Sequence, residues 1–464
     1  MDAVLLVLRE AGARLALEPI EIGKNVYERG VSAGIDEDAW ESLRRTRVFL
    51  KAPITTPQGG GYKSLNVTVR KALGLFANVR PCRSYHPFVP SAHPKLDVVV
   101  IRENEEDTYG GIEHRQTAEV TQCLKLISRP GCERVIRYAF EYARAHGRRS
   151  LTCLTKDNIM KLTDGLFHQV FEEIRSDYPR IESSHMIVDI GTARLAARPE
   201  QFDVVVLPNL YGDIVSDVVA ELSGSVGLAG SANIGEHCAM FEAVHGSAPD
   251  IAGRDQANPS GLLNAAIMML EHIGQGDVGA RIHNAWLRTL EDGVVTADIA
   301  GSHKPARVVG CRDFARAVVS NLGKAPRSLD PVRSRSGPII AAVLRPRSRP
   351  EKRLDGVDVF LDWDESARDP QALGKRLQRL AAPGFRLSMI SNRGVKVFPG
   401  GLPETFCTDH WRCRFVSENS AASLQHRDVL ALLERIASDG LDFIKTEHLY
   451  SFDGQRGYSL GQGE

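Results

Sequence analysis

The stretch KSLNVTVRKALGLFANVRPCR, residues 63–83, sets Ser64, Asn66, Arg70 and Arg80 close together, and Arg102 follows in LDVVVIRENEED. Arginine presents a planar fork that grips a carboxylate with two charge-assisted hydrogen bonds. Three such forks beside two neutral hydrogen-bonding side chains suit a small ligand carrying several carboxylates. Asn66 and Arg70 are four apart, so on a helix they share one face. Ser64 stands where that helix would start, where its hydroxyl caps the backbone or meets the ligand. Any one of these arginines alone would read as part of a solvated face.

A second group is acidic. FDVVVLPNLYGDIVSDVV reads as a buried strand, a turn and a helix, with Asp213 and Asp217 four apart on that helix. Both carboxylates then project from one face. Two hard oxygen donors held together suit Mg²⁺ or Mn²⁺, and Asp189, at the end of a strand in IVDIG, offers a third. An ion held there polarises a carbonyl and stabilises an enolate. Tyr109, in RENEEDTYGG, carries a phenol able to protonate an enolate carbon. Lys156, in TKDNIMK, would have its ammonium form disfavoured beside a metal and several arginines, which makes it a base or proton relay.

These groups need a scaffold. Apolar β-rich runs alternate with helical patterns to roughly residue 325, as βαβ units do. Val48–Ala52, Leu96–Ile101, Ser150–Leu154, Met186–Asp189 and Phe202–Leu207 read as strands. Ala3–Arg14, Cys132–Ala145, Leu162–Arg175, Asp213–Ser223, Gly261–Ile273 and Ala280–Glu291 read as helices. Arg327 to Arg353, rich in Arg, Pro and Ser, reads as a solvated linker. A compact module follows, with strands at Val357–Leu361, Phe385–Ser391 and Val395–Phe398 and helices at Pro370–Ala381 and Asp428–Ser438. That order suggests a small α+β fold of split βαβ type.

Composition narrows the class. The 464 residues carry 58 basic and 58 acidic side chains, a net charge of zero that asks for neither nucleic acid nor a membrane surface. The longest apolar runs, LDVVVI and FDVVVL, are strand-sized. The opening MDAVLLVLREAGARLAL has an acid at once and no basic flank, unlike a secretory signal. Eight scattered cysteines without a CxxC pair read as reduced thiols of a cytoplasmic protein. Cys407, His410 and Cys413 match no common zinc spacing.

These blocks, in this order, resemble the β-decarboxylating dehydrogenases, which oxidise 2-hydroxy acids with a nicotinamide cofactor and release CO₂. SLNVTVRK and FANVRPCR resemble isocitrate dehydrogenases rather than isopropylmalate dehydrogenases. The region after Gly356, with FRLSMISNRGVKVFP and HWRCRF, is similar to the extra C-terminal domain of a long bacterial isocitrate dehydrogenase type. The resemblance implies an α/β two-domain fold with a clasp segment plus a small C-terminal α+β domain. Its boundaries would be 1–75 and 224–326 for a large cofactor-side domain and 76–223 for a small substrate, metal and dimer-interface domain. The clasp would span 107–128, the linker 327–355 and the last domain 356–464.

It also implies roles. Ser64, Asn66, Arg70, Arg80, Arg102 and Asn158 would bind substrate carboxylates or hydroxyl. Tyr109 would protonate the enol, Lys156 would assist removal of the hydroxyl proton, and Asp189, Asp213 and Asp217 would hold Mg²⁺ or Mn²⁺. Lys156 and Asp189 would reach into the partner's site, so the homodimer shares its active sites. The expected reaction is conversion of isocitrate to 2-oxoglutarate and CO₂ in the tricarboxylic acid cycle. The alternatives are another acid of the same family (3-isopropylmalate, homoisocitrate or tartrate) and a catalytically silent subunit.

EAVHGSAPDIAG, ANP at 257–259 and VTAD at 295–298 match the family's cofactor loop, while no G-x-G-x-x-G fingerprint is present. Thr55, His245, Gly246, Ser247, Ala248, Asp250, Ile251, Asn258 and Asp298 would line the cofactor. Asp250 would accept hydrogen bonds from the ribose of NAD and repel the phosphate of NADP. NADP-using relatives resemble each other in placing Lys-Tyr where Asp250-Ile251 stand, and Tyr and Arg where Ala297 and Gly301 stand. The expectation is therefore an NAD-preferring enzyme. The family also opens with an apolar strand and Gly-rich turn before the first helix, whereas this chain begins inside that helix. A misassigned start or a truncation is expected there.

Overall fold

The computed structural model describes residues 1–54, 64–300, 307–334, 337, 348–419 and 424–461. The chain divides into two compact units, Met1–Gly110 with Lys125–Leu344, and Gly111–Leu124 with Arg345–Glu464.

The first unit is built on one mixed eight-stranded sheet. Its strands lie in the order Val48–Lys51, Ala239–Ala243, Gly230–Ile234, Ala77–Arg83, Asp97–Glu103, Val204–Leu207, Ser150–Thr155 and Glu182–Ile187. Pairing is antiparallel from Ala239–Ala243 to Asp97–Glu103 and parallel from there to Glu182–Ile187, while the edge strand Val48–Lys51 runs parallel to Ala239–Ala243. Asp97–Glu103 shows why the apolar runs are nearly continuous. Val99 and Ile101 face a core with Phe140, Phe167 and Phe171 from helices Arg129–Ala145 and Thr163–Arg175. Val98 and Val100 face the opposite core with Val215 and Val219 of helix Asn209–Leu222. A strand covered on both faces needs apolar residues at both parities.

Several elements differ from the sequence expectation. The strand expected at Met186–Asp189 is Glu182–Ile187, and helix Val188–Ala197 follows at once, so Asp189 lies in a first helical turn. Residues 77–83, notable in the sequence only for their chemistry, form a central strand. Part of the expected tether is held: Glu291 accepts from the backbone N–H groups of Arg327, Ser328 and Leu329, and Asn284 bonds both backbone groups of Val332.

The second unit contains a six-stranded antiparallel sheet in the order Val395–Phe398, Phe385–Asn392, His410–Ser417, Lys352–Asp362, Asp442–Phe452 and Gln455–Arg456. Lys352–Asp362, helix Pro370–Leu380 and Phe385–Asn392 form a split βαβ unit, with His410–Ser417 between the two strands. His410–Ser417, helix His426–Ser438 and Asp442–Phe452 repeat it around Lys352–Asp362. The hairpin Glu113–Arg115 and Thr121–Cys123 belongs to this unit, whereas the expectation puts the clasp segment 107–128 within the small substrate-side domain. Arg368 grips Glu119 with two bonds of 2.9 and 3.0 Å, Thr117 donates to Asp409 at 2.5 Å, and Lys445 donates to Gln122 at 3.1 Å.

Asp358 and Arg414 form a buried two-bond pair at 2.8 and 2.9 Å on adjacent strands. Asp358→Asn leaves the guanidinium uncompensated and should destabilise this unit by about 3 kcal/mol. Two of the four tryptophans, Trp363 and Trp411, lie edge to face in the same unit, so urea unfolding followed by fluorescence reads the loss. An unchanged midpoint would show that the pair is dispensable.

Candidate active site

A polar stripe crosses one face of the large sheet. Lys51 lies opposite Glu242, Asn78 lies opposite both Asn233 and Arg102, and Arg80 is two residues from Asn78 on the same strand. The period of two therefore brings Lys51, Glu242, Asn233, Asn78, Arg80 and Arg102 onto one face. Glu242 joins Lys51 at 2.7 Å, Arg70 at 2.8 Å and Asn233 at 2.9 Å. Asn78 donates to Asn233 at 2.8 Å and accepts from Arg80 Nε at 2.5 Å. Burial alone would raise the Glu242 pKa, but the adjacent Lys51 and Arg70 charges outweigh it and hold the carboxyl well below its usual range.

Helix Asn209–Leu222 brings the acidic pair to this stripe. The strand before it, Val204–Leu207, pairs Leu207 with Arg102. Gly212 lets the helix approach, since a Cβ there would lie 2.6 Å from Arg102 Cγ and 3.1 Å from its Cα. Asp213 Oδ1 consequently accepts from both Arg102 and Arg80, the latter at 3.2 Å. Asp217 Oδ1 lies 3.3 Å from Arg80, whose Nη1 also donates to Ser216 at 2.6 Å. Asn209 accepts from Arg102 Nε at 2.9 Å.

Tyr109 donates to Asp213 Oδ2 at 2.5 Å, with the Arg102 guanidinium 4.7 Å from its ring centre. The turn carrying it is pinned by buried Asp107 at φ 66°, whose carboxylate accepts from Thr108 and Leu210 N–H and pairs with Lys125. That link fixes Tyr109 to the start of the helix that carries Asp213. A left-handed aspartate persists only where its surroundings impose it.

The charges shift one another. Burial, then the Arg80 and Arg70 charges, push Arg102 down to about 10. For Asp213 burial is outweighed by Arg102 and Arg80, and its carboxyl falls below the ordinary value. Asp217 moves the other way because burial dominates, with Asp213 adding to it. Burial raises the Tyr109 phenol, so it keeps its proton at neutral pH.

Asn66 and Arg70 stand four apart on helix Leu65–Ala72, and Ser64 is its N-cap residue. Among the described residues, Asn66 Oδ1, Arg70 Nε and Arg102 Nη2 are buried here without a hydrogen-bond partner. Leaving a buried charged N–H unpaired is costly, so an anion with several acceptors is the group these residues lack. The all-oxygen pair Asp213 and Asp217 suits a hard divalent ion, with further oxygens required from elsewhere.

Lys156 and Asp189 are not gathered into this cluster. They form their own pair at 2.7 Å, and Asn158 is exposed in the turn after strand Ser150–Thr155. The cofactor-loop residues His245, Gly246, Ser247, Ala248, Asp250 and Ile251 follow strand Ala239–Ala243, only a few residues beyond Glu242. Asn258 donates to Asp298 at 3.0 Å, and Thr296 and Ser225 donate to the same carboxylate. Thr55 and Gly301 lie outside the described residues.

Sequence reading missed Lys51, Asn78, Asn209, Ser216, Asn233 and Glu242. A usable signal existed for Glu242: a lone carboxylate within the apolar run AMFEAV implies a buried partner.

The chain belongs to the isocitrate/isopropylmalate dehydrogenase family, whose model matches residues 1–318. Residues 352–464 match the bacterial isocitrate dehydrogenase C-terminal domain. An isocitrate dehydrogenase [NADP] of Rickettsia bellii is 54% identical, the match covering 100% of this chain and 96% of the relative. Its counterpart in Thermus thermophilus is 46% identical over 100% of this chain and 93% of its own. The crystal structure of TT0538 protein from Thermus thermophilus superposes with a TM-score of 0.92 at 44% identity, covering 100% of this chain and 93% of that one.

The relatives overturn the expected NAD preference, since both are named for NADP. The structure shows the weakness of the charge argument. It required a poorly solvated carboxylate, but Asp250 is exposed at the surface. Water and salt screen a like charge placed there.

Proposed function

We propose that the chain converts isocitrate and NADP to 2-oxoglutarate, CO₂ and NADPH. The observation that carries the reading is the pair of buried, partnerless guanidinium N–H groups on Arg70 and Arg102 beside the Asp213–Asp217 carboxylates. NADP is taken from the names of the similar proteins. When bound, NADP accepts the hydride and the divalent ion acts as Lewis acid toward the substrate oxygen.

The chain's own residues do the rest. Arg70, Arg80 and Arg102, with Ser64 and Asn66, bind and orient the substrate carboxylates. Asp213 and Asp217 hold the ion. Tyr109 holds a proton at its phenol oxygen, ready for the carbon left by decarboxylation. Two chains assemble, with Lys156, Asn158 and Asp189 of one completing the site of the other. His245–Ile251, Asn258, Asp298 and Thr55 line the cofactor. No helix among the described residues is long and apolar enough to cross a membrane.

Steady-state assays with Mg²⁺, both nicotinamide cofactors and both isocitrate and isopropylmalate test the reading. Isocitrate with NADP should give the highest kcat/KM, and preference for isopropylmalate or for NAD would end it. Tyr109→Phe should lower kcat about a hundredfold or more, the usual worth of a positioned general acid. KM for isocitrate should stay close to wild type, because Tyr109 is not among the carboxylate binders. A kcat near wild type would remove Tyr109 from the proton step.

A further inference from the structure

Tyr109 and Lys156 stand on separate turns, and one ammonium group reaches the supports of both. Lys125 Nζ lies 2.9 Å from Asp107 Oδ1 and 3.2 Å from Asp164 Oδ1. Both aspartates are fully buried, and the lysine side chain is largely so. Lys125 precedes Leu126, whose C=O accepts from Asp107 N–H at 2.8 Å across an antiparallel bridge. Asp164 comes from the first turn of helix Thr163–Arg175. The ammonium also lies 4.8 Å from the ring centre of Tyr211, on helix Asn209–Leu222.

Charge balance explains why a cation is there. Two carboxylates taken out of water repel each other and need an opposite charge between them. It does not explain what else the carboxylates hold. Asp107 Oδ1 accepts from Thr108 N–H at 2.8 Å, one residue before Tyr109, and its Oδ2 accepts from Leu210 N–H at 3.0 Å. Asp164 Oδ2 accepts from the backbone N–H of Lys156 itself at 2.6 Å. Each carboxylate thus pairs with Lys125 and also fixes the backbone of a segment that the reaction uses. The far end of the Lys156 side chain meets Asp189, so Asp164 governs where that side chain starts.

We propose that Lys125 is a positioning residue that sets Tyr109 through Asp107 and Lys156 through Asp164, and so ties one active site of a dimer to the other. The inference rests on the reading above, in which Tyr109 serves its own site while Lys156 completes the partner's. Displacing a reacting group by about 1 Å can cost roughly a hundredfold in rate, so a buried brace of this kind acts on kcat without touching substrate.

Mixed dimers of the full-length chain separate the two arms. One chain carries Lys156→Met and keeps Tyr109; the other carries Tyr109→Phe and keeps Lys156. Two affinity tags isolate the mixed dimer, which has one intact site and one doubly defective site. With isocitrate, Mg²⁺ and NADP it should recover about half the wild-type kcat, since one of two equivalent sites is whole. Adding Lys125→Met to either chain should lower that kcat at least about tenfold. The two aspartates should act on one side each. Asp107→Asn should cost more on the chain that supplies Tyr109, and Asp164→Asn more on the chain that supplies Lys156, each by at least about fivefold.

The outcomes are distinct. Failure of the mixed dimer to recover activity removes the shared-site reading, and the link between sites falls with it. Recovery that Lys125→Met leaves intact in either placement overturns the inference and spares the reading. Circular dichroism shows whether Lys125→Met folds. If it does not, the two asparagine variants decide: equal losses in both placements would reduce Lys125 to a packing role and overturn its part in positioning.

Discussion

Arg102→Lys should lower kcat/KM for isocitrate about a thousandfold. The side chain is almost fully buried, and it binds Asn209 through Nε and Asp213 through Nη1, leaving Nη2 for a ligand. Lysine keeps the charge but concentrates it on one atom and loses the planar fork. It cannot serve Asn209, Asp213 and a carboxylate in the directions arginine uses. Losing one partner of a buried hydrogen-bonded charge pair costs about 4 kcal/mol, which is roughly a factor of 10³ in kcat/KM. Much of the change should fall on KM, because a carboxylate is bound throughout the reaction. Initial rates over a wide isocitrate range at saturating Mg²⁺ separate the two constants. A loss of less than about tenfold would mean that Arg102 only braces Asp213, and the substrate clamp would have to be redrawn.

Glu242→Gln should bring the largest loss of stability, about 3–5 kcal/mol, because Lys51 and Arg70 would then be buried around a neutral group. All three side chains are at most one-tenth exposed. The sign with pH follows from the lowered carboxyl pKa. A depressed pKa stabilises the fold above the unfolded-state value of about 4.3, and that contribution fades as pH falls toward the folded value. The gap between wild type and variant should therefore be constant near neutrality and narrow below about pH 4. Urea unfolding at several pH values checks it. A gap that widens in acid would contradict the assignment of Glu242 as the ionised centre of the stripe.

Much of the site is readable without coordinates. Asn66 with Arg70, and Asp213 with Asp217, are four apart, and a helical period fixes such pairs on one face whatever surrounds them. Most of the strands and helices expected from patterning lie within a few residues of those observed. The errors have specific causes. Asp189 reads as a strand end because VDIG continues an apolar run, yet the helix begins one residue earlier. Residues 77–83 do not read as a strand because Asn, Arg and Pro interrupt the apolar pattern. Asn78 and Arg80 are tolerated there because they bond each other, Asn233 and Ser216 across the same face.

The chain's order of residues settles an inventory: guanidinium forks, an all-oxygen acidic pair, a phenol, and the local periods that orient neighbours along one helix or strand. Which distant residues meet is a matter of folding in three dimensions. Lys51 faces Glu242, Asn78 faces Arg102, and His168 stacks on His185 because of strand register and helix approach. Those depend on pairings between strands far apart in the chain, and a one-residue slip would turn every side chain to the other face. The cofactor expectation fails for the same reason, since the force of a charge depends on its burial, and burial is a property of the fold.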